Sequence, residues 1–323
     1  MRGAACARCG IRACPASTAN DPRTGFVMDP RISVCIVCRT EEDKLLPCLE
    51  SVAWADDVVV LDLGSTDGSA ALAESRGARV VRREPVPIVE LVRNEVAGHA
   101  EHDWILVLDP DERVTPGLAQ ELLRVAPDPD IHAVVIPRMN YDFGYAPSSP
   151  LQRYEPQLRM YRRSRVSWPV IPNALPRVPE EHVHHIASRD DLVMIHDRSR
   201  NIEEVVDRVV RYAPLQARSM LERGEVFTAR RMIAELGEGI YRHFFVGRAW
   251  RDGVPGLIRA GVLVAFKFYV WAAFWQISGG KRTQEDDRYV RRLGGWVEGP
   301  RAALGLASRI RRMVRPRAGG GRS

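Results

Sequence analysis

The stretch between residues 32 and 136 alternates short apolar runs, rich in Val, Ile and Leu, with longer stretches of helical periodicity. Apolar runs of this length are typical of strands that are buried on both faces. A chain that alternates such strands with amphipathic helices folds as a parallel sheet covered by helices. The sequence therefore predicts an α/β fold with a mostly parallel sheet and helices on both faces. Ligands are expected beyond the carboxyl ends of the strands.

The same pattern locates the individual elements. We predict strands at residues 32–38, 58–61, 78–82, 104–108 and 131–136, and two more at 157–162 and 192–196. We predict helices at residues 45–55, from a turn at 64–68 to about 76, and at 89–100, 116–125, 201–223 and 227–245.

Two of the predicted strands end on carboxylates. Asp62 follows the second strand, and Asp109-Pro-Asp111 follows the fourth. Residues i and i+2 of an extended chain point to the same side, so Asp109 and Asp111 can converge on one cation. Their oxygen ligands suit Mg²⁺ or Mn²⁺. The alternative interpretation is a polar turn after a strand, because Asp-Pro-Asp also favours turns.

Four motifs follow one another along this segment: Cys38-Arg-Thr-Glu-Glu42, Val60-Leu-Asp-Leu-Gly-Ser-Thr-Asp-Gly68, Arg93-Asn94 and Leu108-Asp-Pro-Asp-Glu112. Together they resemble glycosyltransferase family 2, which has the GT-A fold (nucleotide-diphospho-sugar transferase), and most closely the branch of lipopolysaccharide-core glucosyltransferases. The run Gln157-Leu-Arg-Met-Tyr-Arg162 and the region of His196 are also similar to this branch.

The resemblance implies a set of site residues. Glu41, Asp62, Arg93 and Asp109 would bind the nucleotide sugar, and Asp109 and Asp111 would hold Mg²⁺ or Mn²⁺. His196 is a third metal ligand or a wall of the pocket, and a structural role is as probable for a single histidine.

The sequence departs from the branch in two places. Thr40 stands where the branch has Asn, and Asn173 and Ala174 stand where it has a His-Glu pair. An inverting transfer needs a carboxylate to accept the proton of the acceptor hydroxyl. Glu155 and Glu181 are the candidates for this general base, with Glu180 beside them.

The carboxyl-terminal part is predicted to be helical and associated with a membrane. Residues 254–276 form a nearly continuous apolar run, interrupted by Arg259 and Lys267. Charges inside the run argue against a simple crossing and favour an in-plane or re-entrant helix, although a buried helix of a soluble subdomain is the alternative. Residues 301–317 combine an apolar stripe with arginines, which indicates a basic amphipathic tail suited to anionic lipid, or else a solvated tail.

We therefore predict three regions. Residues 1–30 are expected to be a disordered extension or sequence upstream of the true start, residues 31–200 a GT-A glycosyltransferase domain, and residues 201–323 a helical region. The net charge of +6 includes seven arginines and no acid between residues 301 and 323. We expect no nucleic-acid partner, because no reading motif accompanies this basic tail.

The resemblance, together with these features, implies a metal-dependent glycosyltransferase. It would move a sugar, with inversion, from a nucleotide-diphospho-sugar to a lipid-linked or cell-envelope glycan acceptor. Its place would be the cytoplasmic face of the bacterial inner membrane, on the anionic lipid surface. The alternatives are a polyprenyl-phosphate sugar synthase and a noncatalytic nucleotide- or glycan-binding membrane adaptor.

Overall fold

The computed structural model describes residues 31–169, 176–281 and 283–297. It divides into two compact units, the first ending at Arg200 and the second beginning at Asn201. The predictions for residues 1–30 and for the tail at 301–317 lie outside the described residues, and so do Asn173 and Ala174.

The first unit is built from nine strands and five helices among the described residues. The strands are β1 (Ile32–Cys38), β2 (Asp57–Asp62), β3 (Arg79–Arg82), β4 (Trp104–Leu108), β5 (Glu112–Val114), β6 (Ala133–Asp142), β7 (Tyr154–Arg162), β8 (Val183–His185) and β9 (Met194–Ser199). The helices are α1 (Glu42–Ser51), α2 (Ser69–Ser75), α3 (Arg93–Gly98), α4 (Pro116–Val125) and α5 (Pro150–Arg153).

All nine strands belong to one mixed sheet in the order β3-β2-β1-β4-β7-β6-β9-β5, with β8 also paired to β6. Strands β1 to β4 are parallel, whereas β7 is antiparallel to both β4 and β6. Strand β6 therefore runs in the same direction as β4, and it pairs in parallel with β8 and β9. The carboxyl ends of β1, β2, β4 and β6 consequently lie along the same edge of the sheet.

Helices cover both faces of this sheet, which confirms the predicted fold class. Strand β1 is buried throughout, and its alternate residues contribute to two separate cores. One core contains Ile32, Val34 and Ile36 together with residues of α1, α2 and α4. The other contains Cys35 and Val37 together with residues of α3. A strand enclosed in this way has no solvent-facing side, which is why its sequence is apolar except for Ser33, whose hydroxyl donates to Asp57 at 2.7 Å.

Several elements differ from the prediction, among them one helix, the length of β6, the short helix α5 and two short strands. Strand β6 continues to Asp142, beyond the predicted end at residue 136. The predicted helix at 89–100 is a 3-10 turn at Val89–Leu91 followed by α3. Strands β5 and β8 were not predicted, because each has three residues and at least one charged or imidazole side chain. Helix α4 has the predicted bounds, with Pro116 in its first turn and the Thr115 side chain accepting a hydrogen bond from the amide of Leu118.

The second unit contains α6 (Ile202–Glu222), α7 (Ala229–Ile240), α8 (Gly253–Ile277) and α9 (Gln284–Val297). A π-helical turn at Tyr241–Val246 and a 3-10 turn at Ala249–Asp252 connect α7 to α8. Asn201 caps α6 by accepting a hydrogen bond from the amide of Glu204 at 2.9 Å. Helix α8 coincides with the predicted apolar helix.

Candidate active site

The loops that follow β1 and β2 meet at the carboxyl edge of the sheet. Cys38 and Asp62 are register partners at the ends of these strands. The carboxylate of Asp62 is almost fully buried and accepts a hydrogen bond from the amide of Ser65 at 3.2 Å, which shapes the turn at Gly64. The Asp67 carboxylate accepts from the amides of Glu42 and Ser69 and so ties the two loops together.

Thr40 occupies a demanding backbone position in the first of these loops. Its φ angle is +54°, in the left-handed region where a β-branched residue is strained and Asn is better tolerated. Its amide donates to the Ser65 hydroxyl at 2.8 Å, and its own hydroxyl accepts from the amide of Thr66 at 3.2 Å. The exchange of Asn for Thr therefore preserves polarity but not backbone preference.

Arg93 presents a buried guanidinium to the end of β4. Its Nη2 lies 3.4 Å from Oδ1 of Asp109, and its guanidinium carbon lies 4.9 Å from the centre of the Trp168 ring. Within the described residues, its Nε and Nη1 atoms are buried and have no hydrogen-bond partner. Buried donors are normally satisfied, so these two nitrogen atoms are available to an acceptor that the described residues do not supply.

Arg159, on β7, holds the opposite side of Asp109. Its Nη2 donates to Oδ2 of Asp109 at 2.8 Å and to Oε1 of Glu112 at 2.6 Å. The amide of Asp109 donates in turn to Oε2 of Glu112 at 3.0 Å. Burial alone would raise the pKa of Asp109, but the charges of Arg159 and Arg93 outweigh it and hold that pKa well below its ordinary value. Asp109 is therefore a fixed carboxylate between two arginines.

The hydrogen-bonded network continues from Glu112 along the end of β6. Arg138 donates to Oε1 of Glu112 at 3.1 Å and to Oε2 of Glu155 at 2.7 Å. Asn140, two residues further on, donates to the same Glu155 oxygen at 2.9 Å. Burial would raise the pKa of Glu155, but the Arg138 charge and these hydrogen bonds lower it, so Glu155 is ionised at neutral pH.

Asn140 connects Glu155 to His196, its register partner on β9. An ionised carboxylate only accepts hydrogen bonds, so the amide nitrogen of Asn140 must face Glu155 and its Oδ1 must face His196. This oxygen lies 2.6 Å from Nδ1 of His196, so Nδ1 carries a proton. The other ring nitrogen, Nε2, lies 3.4 Å from Oδ2 of Asp111.

The pair formed by Asp111 and His196 requires a positive charge between its atoms. With a proton on Nδ1, a neutral ring offers a lone pair at Nε2, and the carboxylate oxygen opposite also offers one. Either a second proton on the ring or a bound cation makes this contact favourable. Adjacent ligands of Mg²⁺ or Mn²⁺ are about 3 Å apart, since each bond is about 2.1 Å, so the observed separation of 3.4 Å fits shared ligation.

The donor set is otherwise sparse for a metal ion. No group of three or more His, Cys, Asp or Glu side chains with the geometry of a metal site occurs in the part of the chain that the structure describes. Both oxygens of Asp109 face arginine nitrogens. Glu41 lies within electrostatic reach of this pair. Burial, and then the charge of Asp111, raise the pKa of Glu41 to about 7. Asp111 and His196 are thus the residues that fit a cation as they stand.

Strand register separates the two predicted general bases. Glu155 pairs with Arg138, which lies in the middle of β6. Glu181 precedes β8, which pairs with β6 at Ala133, the first residue of that strand. At about 3.3 Å per residue, the five-residue step from Ala133 to Arg138 spans about 16 Å. The structure therefore places Glu181 away from Glu155, Asp109 and Asp111. This placement does not support Glu181 as the general base.

Four network residues were not predicted from the sequence: Glu112, Arg138, Asn140 and Arg159. One signal was available for Arg159, which stands as a charged residue inside the apolar run of β7. A buried charge needs a partner, so such a residue points to an acid on a neighbouring strand. No comparable signal marks Asn140, whose role depends on pairing between β6 and β9.

Part of the chain matches a known protein family. Residues 33–177 match the family model described as glycosyl transferase family 2. LpsC, a lipopolysaccharide core biosynthesis glycosyltransferase of Rhizobium meliloti, is 26% identical over 254 residues, which are 76% of this chain and 92% of LpsC. A TPR repeat-containing protein of Synechococcus elongatus is 33% identical over 136 residues, 41% of this chain. The chain matches only 34% of the length of that protein.

Among solved structures, the chain is similar to the mannosyltransferase PcManGT of Pyrobaculum calidifontis, determined in complex with GDP-Man and Mn²⁺. The TM-score is 0.42 and the identity 15%, covering 83% of this chain and 82% of PcManGT. The family and branch inferred from the four motifs are confirmed by the family match and by LpsC. The matched segment, residues 33–177, is therefore a glycosyl transferase family 2 domain.

Proposed function

We propose that the protein transfers a sugar from a nucleotide-diphospho-sugar, with inversion and with a divalent cation bound by Asp111 and His196. The observation that carries this proposal is the contact of Oδ2 of Asp111 with Nε2 of His196 at 3.4 Å. The hydrogen bonds through Asn140 keep the Nε2 lone pair directed at the carboxylate. A histidine ligand whose other nitrogen is held by a hydrogen bond is the usual arrangement at metal sites.

Arg93 and Asp62 are the proposed contacts to the donor. The unpartnered Nε and Nη1 donors of Arg93 suit the oxygens of a diphosphate, because a charged donor forms strong hydrogen bonds with anionic oxygens. The two nitrogens lie on different edges of the guanidinium, so each would donate to a separate oxygen. Asp62 would accept a hydrogen bond from the nucleobase at the end of β2, and Glu41 would line the same pocket. Asp109 would approach the ribose and orient Arg93, with which it already interacts.

Glu155 is the proposed general base. It is ionised, and Arg138 and Asn140 both bind its Oε2. About 45% of its side chain is exposed, so an acceptor hydroxyl can reach it. In this mechanism Glu155 accepts the hydroxyl proton as the acceptor oxygen attacks the anomeric carbon. The bound cation would supply Lewis-acid stabilisation of the leaving diphosphate.

We place the reaction at the cytoplasmic face of the bacterial inner membrane, on a lipid-linked or envelope glycan acceptor. The name of LpsC, which refers to lipopolysaccharide core biosynthesis, supports an envelope acceptor. Helix α8 is long and apolar enough for a membrane-associated role.

Thermal unfolding with nucleoside diphosphates and Mn²⁺ tests the cation site. A ligand that binds only the folded state stabilises it by about 2.7 kcal/mol at a concentration of 100 Kd. We expect one of UDP, GDP or ADP to raise the melting temperature with Mn²⁺ and to have little effect without it. Asp111→Asn and His196→Asn should abolish the Mn²⁺-dependent part of this shift.

Glu101→Gln is the matched control, because Glu101 is an exposed acid just before β4, at the opposite end of that strand. It should retain the full shift. The cation assignment is wrong if Asp111→Asn and His196→Asn respond to Mn²⁺ and nucleotide as the unmodified protein does. A His196 ring that stays protonated and ion-paired with Asp111 whatever the Mn²⁺ concentration would lead to the same conclusion.

A further inference from the structure

Helix α8 has one packed face and one exposed face, and both are apolar. The packed face contributes Val270, Trp271 and Phe274 to a core shared with Ala213 and Ala217 of α6. The opposite face, here called the outer face of α8, consists of exposed residues at helical spacing: Val254, Leu257, Ile258, Gly261, Ala265, Phe268, Tyr269 and Trp275. At 1.5 Å per residue, the 25-residue helix presents this face over about 37 Å.

The two cations of α8 do not interrupt the outer face. Arg259 is buried, with 4% of its side chain exposed, and forms an ion pair with Asp252. Lys267 lies 3.0 Å from Glu238 of α7. No acidic residue occurs between positions 253 and 277. The outer face is therefore apolar along its whole length, and both charges that the sequence places in α8 are neutralised inside this unit.

The neighbouring helix excludes a simple membrane crossing by α8. Helix α7, which packs along α8, carries ion pairs such as Arg231 with Glu235 at 3.1 Å. A crossing would draw these partly exposed charges into hydrocarbon, where each is costly. A helix that lies in the plane of the interface immerses only its outer face and leaves α7 in water.

The amino-terminal end of α8 carries features that suit a lipid headgroup region. Trp250 is 49% exposed and belongs to a cluster of rings with Phe244 and Phe245, whose centres are 5.6–6.4 Å apart. Arg248 and Arg251 flank this tryptophan and are exposed, and neither forms an ion pair with an acid among the described residues. Aromatic rings with adjacent cations are typical of protein segments at the membrane–water interface.

We propose that the outer face of α8 lies in the plane of an anionic bilayer, with Arg248 and Arg251 on lipid phosphates and Phe268 and Tyr269 among the acyl chains. The charge of the flanking arginines is the reason to expect lipid rather than a second copy of the chain. This surface is independent of the proposed transfer reaction, since it involves no residue of the candidate active site.

Vesicle cosedimentation with the full chain tests this surface. Vesicles of phosphatidylcholine containing about one third phosphatidylglycerol supply the anionic surface. Ile258→Glu and Phe268→Glu place a charge on the outer face at positions that are already exposed, so folding should be preserved. We expect each to reduce the partition coefficient at least tenfold at about 0.5 M NaCl, where attraction between exposed charges is screened and apolar insertion dominates.

The matched control is Val226→Glu, because Val226 is 73% exposed in the loop between α6 and α7 and is not part of α8. It should bind vesicles as the unmodified chain does. At low salt, Arg248→Glu combined with Arg251→Glu should weaken binding to anionic vesicles and leave binding to pure phosphatidylcholine unchanged.

The proposal fails if Ile258→Glu and Phe268→Glu bind vesicles as strongly as the control while melting at its temperature. It also fails if the chain does not bind vesicles and sedimentation velocity shows a dimer that Phe268→Glu dissociates, since the outer face would then mediate self-association. Either outcome would remove the support that α8 gives to the proposed membrane placement. Neither involves donor or cation, so the proposed transfer chemistry would stand or fall separately.

Discussion

Replacing Arg159 by Met should destabilise the first unit strongly, although the substitution keeps an unbranched side chain in the same core. Arg159 is 4% exposed, and its Nη2 lies 2.8 Å from Asp109 and 2.6 Å from Glu112. The side chain of Glu112 is fully buried. Removing the guanidinium leaves a buried carboxylate without its nearest counter-charge, and the free energy of unfolding falls accordingly.

The size of the effect follows from which contacts remain. Removing one partner of a buried ion pair typically lowers the free energy of unfolding by about 3–5 kcal/mol. Glu112 keeps Arg138 at 3.1 Å and the amide of Asp109 at 3.0 Å, so the lower end, about 3 kcal/mol, applies. For a unit of this size each kcal/mol shifts the melting temperature by roughly 2–4 °C. The expected decrease is therefore about 6–12 °C.

Calorimetry or urea unfolding of Arg159→Met measures this difference, with Arg76→Met as the matched control. Arg76 also lies 2.8 Å from a carboxylate, that of Glu50, but both side chains are about half exposed. Such surface pairs contribute about 0.5 kcal/mol, so burial alone distinguishes the two variants. Adding Glu112→Gln to Arg159→Met should recover part of the loss, because it removes the buried charge that has lost its nearest partner. Equal losses for Arg159→Met and Arg76→Met would refute the reasoning.

Two further predictions concern the loop after β1. Thr40→Asn should stabilise the fold by about 1 kcal/mol, since Asn tolerates the left-handed φ of +54° better than a β-branched residue; an unchanged or lower urea midpoint would contradict this. In metal-free protein, burial and Asp111 raise the pKa of Glu41 from 4.5 to about 7, so the folded state retains a proton that the unfolded chain has lost. Stability attributable to Glu41 should therefore fall as pH rises from about 4.5 to 7. Glu41→Gln should remove that fall, and parallel pH profiles of the urea midpoint for the two proteins would show that Glu41 does not titrate in this range.

The fold was predictable where a single element carries its own signal. Strand β1 is almost entirely apolar because both faces are covered, and α4 has a capping Thr115 and Pro116 in its first turn. Strands β5 and β8 carry no such signal. Each is three residues long and is held by pairing with a distant strand. Such pairing depends on long-range contacts that periodicity does not encode.

In the candidate site, too, the predictable residues are those whose position follows from a single strand. Asp62, Asp109 and Asp111 follow apolar strands, so their position at the carboxyl edge follows from the sheet. The link between Glu155 and His196 depends instead on pairing between strands. Arg138 of β6 is opposite Glu155 on β7, and Asn140 of β6 is opposite His196 on β9. Glu181 is the opposite case. It is close in sequence to Asn173 and Ala174, which suggested that it could be the general base, but the register of β8 does not support that role.

The arginines around Asp109 bear on how a cation and a donor would bind. Asp109 already has Arg93 and Arg159 as counter-charges, so the chain offers a cation chiefly Asp111 and His196. Two protein ligands leave most of the coordination positions of Mg²⁺ or Mn²⁺ to other oxygens. A donor diphosphate can fill those positions while it also satisfies the free donors of Arg93. Cation and nucleotide should therefore strengthen each other's binding by the same factor. Because Asp111 and His196 supply only two ligands, the cation site is complete only when the diphosphate is bound. The expected signature is therefore a rise in melting temperature that needs nucleotide and Mn²⁺ together.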